Sequence, residues 1–160
     1  MKHWKTAVLG AAFLLAAVLW MERAVPTAGW GLAFPVPGDA PSAPESPDRL
    51  RELGAAYLDP DGGKVLYLTF DAGYENGYTA GILDVLKERE VSAAFFLVGD
   101  YLERNPDLVR RMTAEGHIVG NHTRSHPDMT GLDEAAFEGE LRGMEQLYEE
   151  VTGQTLPKYY

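Results

Sequence analysis

Residues 65–98 read VLYLTFDAGYENGYTAGILDVLKEREVSAAFFLV, and this stretch decides the fold. Val65–Phe70 is a continuous apolar run of strand length, and Ala93–Val98 is a second. Between them, Tyr78–Arg89 places Ile82, Leu83, Val85 and Leu86 on one helical face. Strands that are continuously apolar rather than alternating predict a parallel sheet covered on both faces. Downstream, His117–Gly120 reads as a shorter third strand. Asn105 followed by Pro106 predicts an N-cap and a first-turn proline, opening a helix with Leu108, Val109 and Met112 that stops near Gly116. Asp133–Thr152 repeats Phe137, Leu141, Met144, Tyr148 and Val151 at helical spacing and is ended by Gly153. The order β-α-β-α-β-α predicts an α/β sheet or barrel with right-handed crossovers.

Upstream the pattern changes twice. Lys2 and Lys5 precede an uncharged run from Thr6 to Met21, so residues 1–23 are expected to be an apolar helix acting as a signal peptide or signal anchor. Residues 24–48 hold six of the ten prolines and read as an extended Pro/Ala/Gly-rich linker. Trp30, Leu32, Phe34 and Val36 are unusually apolar for a spacer. The folded domain is expected over residues 49–160, exported and either secreted or held at the membrane of the cell envelope.

Composition narrows the partners. Lys+Arg 14 against Asp+Glu 24 gives a net charge of −10, with no basic cluster, which argues against nucleic acid. With no cysteine, disulfides, thiolate metal sites and a Cys nucleophile are excluded.

The strand order also says where chemistry belongs. In such folds the working residues gather at the carboxyl ends of the strands. Asp71 follows the first strand, and Asn121-His122-Thr123-Arg124-Ser125-His126-Pro127-Asp128 follows the third. Both polar clusters should therefore lie on one rim. His122 and His126, four residues apart, bring two imidazoles to one side of a turn, where they can share zinc, cobalt or nickel. Glu75 and Asn76 read as capping or orienting residues, His117 as structural, and His3 as part of the leader.

Two motifs carry a family resemblance. Thr69-Phe70-Asp71-Ala72-Gly73 resembles T-F-D-D-G, and His122-Thr123-Arg124-Ser125-His126-Pro127 resembles H-[ST]-x-x-[ST]-H-P, of the polysaccharide deacetylases (NodB-homology carbohydrate esterases). The string YLTFDAGYENGYT, with GHIVGNH and the final KYY, is most similar to the delta-lactam-type peptidoglycan deacetylases of spore formers. The resemblance implies a NodB-type irregular (β/α) barrel and a hydrolase that removes N-acetyl groups from the amino sugars of a cell-wall glycan. It implies Asp71 as general base and His122 and His126 as metal ligands, with zinc or another divalent ion as cofactor. The family's further metal-binding Asp is replaced by Ala72, which has no donor atom, so the implied site is weakened.

The family continues beyond a segment like Pro157-Lys158-Tyr159-Tyr160 with an Arg-Pro-Pro motif, an aromatic wall and a general-acid His. The expectation is therefore the N-terminal part of such a domain, carrying half a site and inactive by itself. The alternatives are a membrane-tethered glycan-binding module without turnover, and an interaction protein whose histidines meet metal only by accident.

Overall fold

The computed structural model describes residues 31–34, 36–59 and 64–160. The expected leader over residues 1–23 lies outside the described residues. The chain divides into two units, residues 1–62 and 63–160.

In the first unit, Ala33 and Ser42 form one antiparallel bridge, exchanging N–H···O bonds of 2.8 and 2.9 Å. Leu32, Phe34 and Val36 are exposed. A short helix α1, Pro47–Glu52, starts where Ser46 accepts a hydrogen bond from the Arg49 amide at 3.2 Å. Pro47 occupies its first turn, where a missing N–H costs nothing. No residue of α1 is buried. Among the described residues no helix is long and apolar enough to cross a membrane.

The second unit is a three-stranded parallel sheet in the order β1 (Thr69–Ala72), β2 (Ala94–Leu97), β3 (Ile118–Asn121). Helix α2 (Thr79–Glu88) joins β1 to β2. Helices α3 (Gly99–Arg104) and α4 (Pro106–Ala114) join β2 to β3, and α5 (Glu134–Thr152) follows a 3₁₀ turn at Met129–Gly131. This is the α/β order that the apolar runs predict.

Register decides what each face of the sheet does. Phe70, Phe95 and Val119 form one row across it, and Ala72, Leu97 and Asn121 another. These rows face the helices: Phe95, Leu97, Val119 and Asn121 are buried, and Phe70 and Ala72 pack against the same core. Phe70 stacks on Phe95 at 4.9 Å between ring centroids. Leu83, Leu102, Val109, Met112 and Met144 complete the layer from the helices. The alternate rows, Thr69-Ala94-Ile118 and Asp71-Phe96-Gly120, look the other way. Thr69, Asp71 and Ile118 are exposed there. The sheet is thus covered on one face by the described residues, not on two as its apolar strands suggest.

Other differences have local causes. The first strand starts at Thr69 rather than Val65: the ladder with β2 begins at the Thr69–Ala94 pair, and Val65, Leu66 and Tyr67 are exposed. Asp71 is accordingly inside β1, not after it. Val85 is 56% exposed although it lies on the apolar stripe of α2. With Phe70, Tyr78, Ile82 and Leu86 it lines an open apolar hollow of about 470 Å³. Asn105 does not cap α4 with its side chain; its Nδ2 donates instead to the Tyr101 carbonyl at 2.9 Å, closing the unexpected helix α3. Helix α5 matches its stripe, with Asp133 capping through the Ala136 amide at 2.8 Å and Gly153 ending it at φ 71°. Phe137, at the start of that stripe, is 43% exposed.

Candidate active site

Asp71 projects from the open face of β1, in the row shared with Phe96 and Gly120. Phe96 lies across Gly120 so closely that a Cβ there would sit 2.5 Å from the Phe96 ring. Glycine at 120 is what lets this aromatic floor lie flat between β1 and β3. One residue past β3, His122 continues the ladder by donating its N–H to the Leu97 carbonyl at 3.1 Å. Strand alternation therefore carries His122 to the same face as Asp71. The two residues stand two strands apart, roughly 10 Å between backbones at the usual strand spacing.

His122 and His126 are brought together, their ring centroids 4.9 Å apart and tilted by 46°. The loop between them is not a regular helical turn. Thr123 and His126 take φ of 70° and 58°, the left-handed region that side chains with a Cβ rarely adopt. Hydrogen bonds from several elements hold it there. Asn121, buried, donates its Nδ2 to the Leu141 carbonyl at 2.9 Å and accepts from the Thr123 amide at 2.9 Å. The Thr123 carbonyl accepts from Gly99 at 3.2 Å, and the Thr123 hydroxyl accepts from the His126 amide at 2.9 Å. Ser125 donates from both its amide and its hydroxyl to the Glu140 carboxylate, each at 2.7 Å. Arg124 pairs with Glu103.

The loop after β1 is held by one side chain. Glu75 accepts from the Gly77 amide at 2.5 Å, from the Thr79 hydroxyl, and from the Tyr101 hydroxyl at 3.1 Å. Because Tyr78 at the start of α2 makes no capping bond, Glu75 supplies the cap from outside the helix. Its bond from Thr79 leads the interactions that hold its carboxyl below the usual range. Burial, together with the neighbouring Glu75 charge, pushes the Tyr101 phenol up to about 12. Glu75 thus orients the loop.

His117 is structural. It is 8% exposed, its Nδ1 accepts from the Ala93 amide at 3.2 Å, and its ring meets Phe95 edge-on. Burial lowers its pKa from the ordinary value.

Two imidazoles offer a borderline divalent cation two donors of the right chemistry. Among the described residues no group of three His, Cys, Asp or Glu lies close enough to hold a metal ion. Ala72 carries no donor, and its half-buried methyl packs on the core in the row that faces the helices, opposite Asp71. The donor set fits an ion held by His122 and His126 with water or substrate in the remaining positions. Sequence reading missed Asn121, Glu140 and Tyr101. Glu140 is fifteen residues from Ser125, and nothing in its own helix marks it.

The polysaccharide deacetylase family profile matches residues 59–160. The chain is 39% identical over 153 residues to the peptidoglycan-N-acetylmuramic acid deacetylase PdaA of Bacillus subtilis, covering 94% of this chain and 58% of that protein. The solved structure of that relative, a family 4 carbohydrate esterase, superposes with a TM-score of 0.74 at 39% identity, over 80% of this chain and 55% of that one. A family 4 carbohydrate esterase structure from Bacillus anthracis gives a TM-score of 0.64 at 48% identity, over 68% of this chain and 53% of that one. A chitooligosaccharide deacetylase of Rhizobium leguminosarum bv. trifolii is 52% identical over 77 residues, 48% of this chain and 36% of that protein. The chain spans a little over half of the Bacillus subtilis relative and about a third of the rhizobial one. The α/β architecture, the two rim motifs and these matches agree: the chain belongs to the polysaccharide deacetylase family.

Proposed function

We propose that this chain supplies the base and the metal-binding half of a hydrolase that removes N-acetyl groups from cell-wall glycan, with peptidoglycan as the substrate class. The observation that carries this reading is the common face of the sheet. Asp71 and His122 share it, with His126 folded back beside His122. The similarity over 94% of the chain to a muramic acid deacetylase supports N-acetylmuramic acid, and with it delta-lactam formation in the spore cortex, as the finer assignment. The leader-like residues 1–23 support export and action at the cell envelope.

The reaction adds water across an amide, giving acetate and a free amine. His122 and His126 would hold a divalent cation, which would supply polarisation of the carbonyl and a more acidic water. Asp71 accepts the proton that the attacking water gives up, and its exposed position leaves it open to solvent and glycan. Phe96 gives the floor between Asp71 and His122 an apolar surface, suited to the acetyl methyl group. The rigid 121–128 loop keeps the imidazoles from having to reorganise on binding.

A second reading, a glycan-binding module without turnover, is favoured by one observation: among the described residues no third His, Cys, Asp or Glu joins the two imidazoles in a metal-holding group. Acetate release from N-acetylated peptidoglycan distinguishes the two. We expect release by the complete enzyme to which this chain contributes its half-site, and a fall of about 10²–10⁴-fold there in Asp71→Asn, the usual share of general acid–base catalysis. Turnover unchanged in folded Asp71→Asn overturns the assignment of the base. No release by the complete enzyme favours the binding module.

A further inference from the structure

We propose that Glu140 is a positioning residue that reaches from α5 to fix the backbone beside His126 and thereby sets the separation of the two imidazoles. The inference rests on the metal-site reading of His122 and His126. Both oxygens of the Glu140 carboxylate are used by one residue of the loop, Ser125, through its amide and its hydroxyl at 2.7 Å each. Ser125 immediately precedes His126, whose φ of 58° needs support from outside the local chain. The remaining loop bonds leave Ser125 alone: Asn121 secures Thr123, and the Thr123 hydroxyl secures the His126 amide. Glu140 is therefore the contact that ties this end of the loop to the folded body.

The neighbouring residue strengthens the arrangement. Arg124 runs between Gly99 of α3 and Gly143 of α5, and a Cβ at Gly99 would collide with it. Its guanidinium ends on Glu103. Arg124 and Ser125, the middle of the span between the histidines, are thus gripped by two helices at once. Burial works against the charge on Glu140, but the bonds from Ser125 and the nearby Arg124 outweigh it and hold the carboxyl below its ordinary range. The bonds from Ser125 are charge-assisted, shorter and stiffer than neutral ones. Outer-shell groups of this kind typically change metal affinity by about 10–100-fold when removed.

The test is calorimetric titration of zinc into the full chain and four variants, each with a thermal melt. Glu140→Ala should weaken binding by about tenfold or more, and Glu140→Gln, which keeps one acceptor oxygen, by less. Ser125→Ala should weaken it, whereas Ser125→Thr, which keeps the hydroxyl, should restore it to within about twofold of the native value. A residue that only stabilises the fold would lower the melting temperature and leave affinity alone. Hydrogen exchange of the Ser125 and His126 amides is read in parallel without metal. The proposal expects faster exchange there in Glu140→Gln, with β2 amides unchanged. Native affinity together with native exchange in a folded Glu140 variant overturns it. If the native chain binds no zinc, the metal-site reading fails, and loop exchange alone then decides the positioning role. Should Glu140→Ala not fold, the Gln and Ser125 variants carry the same comparison.

Discussion

The loops after β1 and β3 occupy the same rim, yet they are held in opposite ways. The first is organised almost from within: Glu75 satisfies the Gly77 amide and the Thr79 hydroxyl two and four residues ahead, with Tyr101 as its distant partner. The second depends on other elements, through Leu141 and Glu140 of α5, Gly99 and Glu103 of α3, and it contains two non-glycine residues at positive φ. A loop that presents one carboxylate can be built locally. A loop that must aim two side chains at one point needs tertiary clamps, because its own backbone conformation is unfavourable.

The largest expected effect breaks the second loop. Asn121→Ala removes a buried amide that bridges the Leu141 carbonyl and the Thr123 amide; the carbonyl stays in the helical ladder of α5, but the Thr123 amide loses its acceptor. At about 1–3 kcal/mol for an unsatisfied group, stability should fall by about 1–3 kcal/mol. Chemical denaturation measures it. A loss under about 0.5 kcal/mol would mean the clamp is decorative.

A second effect lies at neither loop. His117 is buried with Nδ1 accepting from Ala93, so the neutral form belongs to the fold and the unfolded chain takes up the proton first. Stability should therefore fall as pH drops below about 6.5 and level off once the folded imidazole also titrates, losing at most about 1.4 kcal/mol per pH unit. Denaturation curves between about pH 7.5 and 5, in steps of roughly half a unit, follow the change. His117→Gln keeps an acceptor for Ala93 but no titrating charge, and should flatten the dependence. Glu75 and Glu140, both held below the usual carboxylate range, contribute stability above that range and lose it only at more acidic pH.

The smallest effect touches the first loop. Tyr101→Phe deletes the hydroxyl that meets Glu75 at 3.1 Å and Thr79 at 3.0 Å. Glu75 keeps its bonds from Gly77 and Thr79, so the cost should be about 0.5–1.5 kcal/mol. Zinc affinity should not change, since the histidine loop is clamped elsewhere. A larger loss than in Asn121→Ala would invert the comparison.

The sequence makes much of this legible, for identifiable reasons. Apolar runs and helical stripes locate β2, α2, α4 and α5 to within a residue or two, because burial dictates those patterns. Asp71 and the His122–His126 pair are visible because their residue types, at or just past the carboxyl ends of apolar strands, announce chemistry. The start of β1 is misplaced because an apolar run records burial potential, while a strand needs a partner. Val65–Tyr67 lies outside the β1–β2 ladder, which begins at the Thr69–Ala94 pair. Val85 and Phe137 mislead for the same reason: their spacing is right, but nothing described covers them. Asn105 shows a cap signal diverted to the preceding helix. Glu140 and Asn121 stay invisible because their roles arise from contacts across fifteen and twenty residues.

The central claim is that Asp71 and the two histidines form one site. Paramagnetic cobalt titrated into the isotopically labelled chain tests it directly. With the ion on His122 and His126, the account predicts that the resonances of Asp71 and of the β1 end shift or broaden together with residues 121–128, at saturation by a single ion. Those effects should vanish in His126→Ala. Cobalt that perturbs the 121–128 loop and leaves Asp71 unchanged would contradict the claim.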